Sequence, residues 1–125
     1  MKRPPQWRLA GLVCVLGLWV HTADASHGRA SFVERFRAAA AQPDAAALAD
    51  LSALPFLYEG RKLDRDGFMR EAVPALFTPA VRRCLQRATA QRDGDRLVLW
   101  CKPYGFYLGP VRNQWRLIEF AADVD

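Results

Sequence analysis

Histidine is nearly absent from this chain: His21 and His27 are the only two, beside three cysteines, Cys14, Cys84 and Cys101. A zinc site needs three or four convergent ligands, which this set does not supply, and no Ser-His-Asp arrangement finds a well-placed histidine. No glycine-rich phosphate loop opens a helix. Asp64-Arg65-Asp66-Gly67 lacks the rest of a twelve-residue calcium loop and reads as a helix cap. No cofactor or metal is expected. There is no internal repeat, no linker, and no low-complexity tract beyond an alanine-rich stretch near residues 38–41. Arg82, Arg83, Arg87 and Arg92 form the only basic cluster, without interleaved aromatics, so it reads as a solvated helix face rather than a nucleic-acid footprint.

The first residues read as a secretory leader. Lys2, Arg3 and Arg8 precede an apolar run from Leu9 to Val20, and Ala23-Asp24-Ala25 follows. That order of charged, apolar and small residues places cleavage after Ala25. A membrane span needs roughly 20 apolar residues, more than this run holds, so no stable anchor is expected after processing. The mature chain would begin at Ser26 and form one domain over residues 26–125, periplasmic or secreted. Its net charge falls from +5 to +3 with the leader.

Cys14 departs with the leader, and the remaining pair, Cys84 and Cys101, would sit in an oxidising compartment. An even count there argues for a disulfide. A reactive thiolate would need a neighbouring histidine or helix start to lower its pKa.

Punctuation along the chain predicts helices first and strands last. Ser31-Phe32-Val33-Glu34 fits a capping box, and Phe32, Val33, Phe36, Ala39 and Ala40 follow at helical spacing to an end near Gln42-Pro43. Asp44 would cap a short helix carrying Ala47, Leu48 and Leu51. Leu54 to Tyr58 reads as extended. Asp64 would cap a helix through Phe68, Met69, Ala72 and Val73, ended or bent by Pro74. Thr78-Pro79 would open a helix with Ala80, Val81, Cys84, Leu85 and Ala88 on one face. Beyond the turn at Asp93-Gly94, three strands are expected: Arg96 to Lys102, Tyr104 to Leu108, and Gln114 to Ala121. Lys102-Pro103 and Gly109 to Asn113 would be the turns. Leu97, Leu99 and Cys101 share one strand face, which would meet the stripe carrying Cys84.

The order of "LPFLYEGRKLDRDGF", "LFTPAVRRCL" and "GFYLGPVRNQWRLIEF" resembles the nuclear transport factor two-like, or cystatin-like, superfamily, in particular its small exported bacterial members. The likeness spans residues 28–123, and its most specific part is the aromatic strand pair whose turn leads into Trp115-Arg116-Leu117. It implies an α+β fold in which N-terminal helices pack against a strongly curved antiparallel sheet, cone-shaped with a pocket at its open end. Such folds serve isomerases, dehydratases, cyclases and noncatalytic modules alike, so the fold does not choose among them.

Enzymes of this kind set a carboxylate against a tyrosine or histidine inside the cone. The candidate carboxylates are Glu119, Glu59 and Asp64; the candidate ligand-binding aromatics are Tyr58, Tyr104, Tyr107 and Trp115. Strict alternation groups Glu119 with Trp115 and Leu117. If that face lines the cone, burial would raise its pKa toward that of a general base. If the face of Arg116, Ile118 and Phe120 is inside, Glu119 is a surface charge. Three readings follow: a noncatalytic domain that binds a small apolar ligand or a protein partner, a small acid–base enzyme, and a homodimer packing sheet to sheet. The last requires an apolar outer face such as Val98 and Trp100.

Overall fold

A computed structural model describes residues 23–42 and 44–122. Apart from the backbone of Ala23–Ala25, the expected leader lies outside the described residues, as do Cys14 and Pro43. The chain is an α+β fold with helices on one face of an antiparallel sheet.

Helix α1 runs Ala23–Ala41. Phe32, Val33, Phe36, Ala39 and Ala40 are all buried, so the apolar spacing chose the face correctly. The helix start was misplaced: Ser31 lies inside α1, not at its cap. The alanines ahead of it sustain a helix, and Gly28 costs only about 1 kcal/mol. Helix α2, Ala45–Asp50, is capped as expected by Asp44, whose carboxylate accepts from Ala47 N–H at 3.0 Å.

Strands β1, Phe56–Tyr58, and β2, Arg61–Leu63, form a separate hairpin. Its tip is Glu59-Gly60, both at positive φ. The Asp64 cap is also as expected, accepting from Gly67 N–H at 2.8 Å. Helix α3, Arg65–Gly67, continues through a π turn, Phe68–Ala72, into α4, Val73–Leu76. Pro74 therefore does not end the helix. Val73 N–H reaches back to the Phe68 carbonyl, and this wider turn carries the chain past a residue that has no N–H to donate. Helix α5, Pro79–Leu85, is capped by Thr78. Val81 and Leu85 are buried, whereas Ala80 is exposed, contrary to the expected stripe.

The last third is a meander, β3-β4-β5-β6, with β3 Gln91–Asp93, β4 Arg96–Cys101, β5 Tyr104–Val111 and β6 Gln114–Ala122. Strand β3 was not foreseen; its residues are polar and exposed, so only the turn after it left a signal. Lys102-Pro103, with a cis peptide bond, makes a tight two-residue turn, since Cys101 pairs directly with Tyr104. Gly109-Pro110, expected to turn, continues β5. The β4 partner begins at Arg96, opposite Gly109, so Pro110 lies beyond the end of β4 and is asked for no ladder donor on that side. The turn shrinks to Arg112-Asn113, both at positive φ.

Cys84 and Cys101 form the disulfide, joining α5 to β4 with Cα atoms 5.7 Å apart. Beside it, α5 is tied to α1 by Arg37 donating to the Leu85 carbonyl, Gln86 to the Arg37 carbonyl at 3.0 Å, and Arg82 to the Ala41 carbonyl at 3.1 Å. Arg82 thus joins two helices instead of standing on a solvated face. Between helices and sheet, Phe36, Phe77 and Phe106 meet with centroids 5.2 to 6.3 Å apart. The outer edge of β6 is joined at Leu117 by residues 51–53, through Leu117 N–H to the Leu51 carbonyl and Ala53 N–H to the Leu117 carbonyl.

Candidate functional site: the outer face of the sheet

Pairing register decides where each candidate side chain goes. Leu108 pairs with Leu117 and Tyr107 with Glu119, leaving Ile118 as an extra residue on β6. This bulge breaks strict alternation. Leu117 is fully buried and Phe120 packs on the core, while Glu119 turns to the outer face with Arg116 and Ile118. Neither face set read from alternation survives intact.

On that outer face Glu119 accepts from Arg96 at 2.6 Å, and Asp93 holds the same guanidinium at 3.2 Å. The Glu119 hydrogen bond raises the Arg96 pKa, with burial acting against it. Glu59 stands at the exposed hairpin tip, and the Asp64 carboxylate is occupied as a helix cap. None of the three carboxylates occupies the desolvated position that a general base near neutral pH requires.

The four candidate aromatics do not converge. Tyr58 and Tyr104 flank Phe120, with centroids 5.8 and 5.7 Å from it. Desolvation first, and then the neighbouring Glu59 charge, raises the Tyr58 pKa above its ordinary 10.0. Trp115 packs on Phe32 of α1, 6.4 Å away, at the other end of β6. Tyr107 is on the outer face. The interior where a cone would hold a ligand is filled by Phe36, Phe56, Phe68 and Phe106.

What the outer face does assemble is an aromatic and arginine cluster. Trp100 lies across Gly105, to which it is paired, and meets Tyr107 edge-on at 6.1 Å. A Cβ on Gly105 would stand 2.5 Å from the Trp100 ring, so only glycine lets the indole lie flat on the sheet. The Arg96 guanidinium sits 4.4 Å above the Tyr107 ring. Val98 is buried on this same face beneath its neighbours, yet Trp100 keeps 39% of its surface exposed. Sequence reasoning named Val98 and Trp100 as one condition but overlooked Arg96 and the pairing of Trp100 with Gly105. The available signal was the two-residue turn at Lys102-Pro103, which sets Trp100 opposite Gly105.

Among the described residues, no three His, Cys, Asp or Glu side chains cluster to hold a metal ion. No protein-family model, curated protein or solved structure matches this chain.

Proposed function

We propose that the chain is a noncatalytic, exported binding domain of the nuclear transport factor two-like type that engages a protein partner across the outer face of its four-stranded sheet. The exposed Trp100, held flat on Gly105 beside Tyr107 and Arg96, carries this reading. Trp, Tyr and Arg dominate the energetics of protein interfaces, and a side chain already held in place loses little freedom on binding. The aromatic filling of the interior favours the sheet over the cone as the binding surface. Helices followed by an antiparallel meander support the superfamily assignment.

The occupant that fits is a second copy of the chain. On this face Arg96 pairs with both Asp93 and Glu119, and Arg116 adds a second positive charge without a carboxylate partner, so the face as a whole draws neither a strongly acidic nor a strongly basic partner. A neutral face with an apolar centre and both charge signs around it is self-complementary about a two-fold axis. Sedimentation velocity across a concentration series tests this. The expected result is a concentration-dependent dimer that Trp100→Ala converts to a folded monomer. A chain still monomeric at about 1 mM, the limit of weak specific association, or a dimer indifferent to Trp100→Ala, overturns it.

A further inference from the structure

Five arginines are matched to carboxylates: Arg37 to Glu34, Arg61 to Glu71, Arg65 to Asp50, Arg70 to Asp66, and Arg96 to Asp93 and Glu119; among the described residues Arg29, Arg82, Arg83, Arg87 and Arg92 meet none. Around the β5–β6 turn, arginines without such a partner are gathered together. Two adjoining clefts open there. One is lined by Gly28 and Arg35 of α1 with Asn113, Gln114, Trp115 and Arg116. The other is lined by Arg112, Gln114 and Arg116 with residues 52–54. Among the described residues no carboxylate lines either cleft.

We propose that Arg35, Arg112 and Arg116 form a binding site for a small molecule bearing phosphate or carboxylate groups. The site takes Arg116 from the margin of the outer face but no residue of the Trp100, Tyr107 and Arg96 cluster, and it does not rest on the partner reading above.

Each arginine is placed by something other than an ion pair. Arg35 rests over the Phe32 ring, 5.5 Å from its centroid, and Phe32 in turn packs on Trp115. Arg116 is braced along its own strand, donating to the Gln114 side-chain oxygen and to the Trp115 carbonyl at 3.3 Å. Those two bonds use two of five guanidinium donors, so the fork retains N–H groups for a ligand. They also fix the Gln114 amide with its oxygen toward Arg116, leaving its NH₂ as a further donor. Arg112 is presented by the turn itself, where Arg112 and Asn113 both take the left-handed conformation. Among the described residues none of the three meets a carboxylate within ion-pair distance. Three cations gathered at one end repel one another, and an oxyanion with two or more charges would relieve that repulsion while accepting charge-assisted hydrogen bonds.

Amide NMR titrations of the oxidised chain with inorganic phosphate and, separately, with citrate test the site, at constant ionic strength and with chloride as control. Saturable shifts centred on Asn113, Gln114 and Trp115 are expected. Saturation by both anions supports a general oxyanion site, by phosphate alone a phosphate ligand, and by citrate alone a carboxylate ligand. Arg116→Gln should weaken binding about tenfold, as loss of a charged hydrogen-bond donor does, and Arg35→Gln with Arg116→Gln should abolish it. Arg112→Gln, at an exposed turn, is the variant to use if the double change perturbs folding, and should also weaken binding. Arg70→Gln, at an ion pair distant in sequence, should change nothing. Failure of both anions to saturate below about 10 mM overturns the proposal. So does binding that survives unchanged in a natively folded arginine variant.

Discussion

The inner and outer faces of the four-stranded sheet are built from the same strands and turned to opposite uses. On the inner face Leu99, Phe106, Leu108 and Leu117 are completely buried beneath helices. On the outer face Trp100 and Tyr107 meet each other, Gly105 and the Arg96 guanidinium, and among the described residues no helix packs over them. Apolar character is present on both. The difference is shape: inside, branched and aromatic chains interlock with another layer, whereas outside an indole is laid flat on Gly105 and stays partly exposed. The difference also teaches where charge goes, since Arg96, Asp93 and Glu119 balance one another on the open side.

Substitutions on the two faces should therefore separate cleanly. Phe106→Ala, in contact with Phe36 and Phe77, should cost about 3–5 kcal/mol in denaturant unfolding; a loss below about 1 kcal/mol would break the contrast. Replacing Cys84 and Cys101 by alanine removes a cross-link between positions 17 residues apart and should cost about 3 kcal/mol, measured against the wild-type chain under oxidising conditions. Gly105→Ala should cost about 1–3 kcal/mol by pushing the indole off the sheet, and the Trp100 side-chain resonances should lose their Tyr107 contacts. Glu119→Gln should cost less than about 1 kcal/mol, because the Arg96 pair is half-exposed and Asp93 remains.

The smallest effect concerns pH. A raised folded-state pKa at Tyr58 means the neutral phenol is favoured by folding. Its contribution is complete below pH 10.0 and is lost as pH rises through the folded value, so alkaline unfolding curves of Tyr58→Phe should be flatter there.

Local chemistry made much of this fold legible. Asp44, Asp64 and Thr78 announced helix starts because a side-chain oxygen satisfies a free N–H wherever the rest of the chain lies. Cys84 and Cys101 were legible as a pair from their even count in an exported chain and from the helix stripe and strand face that carry them. The site was less legible, because it depends on register. One extra residue at Ile118 sends Glu119 outward, and nothing in the local sequence marks that bulge. The same holds for β3, whose polar residues carry no alternating pattern, and for the π turn, whose effect is to carry a helix past Pro74. Arg35 and Arg116, 81 positions apart, meet at one cleft only once α1 lies beside β6.

The bridge between residues 51–53 and Leu117 has a consequence for how copies of this chain stack. A sheet lengthens into a fibre by adding strands at its borders, and here one border is already occupied at its midpoint by the molecule's own backbone. The opposite border is β3, only three residues long and carrying Arg92 and Asp93. Neither side offers a neighbour a long bare ladder, so this sheet resists growth into a filament through its borders.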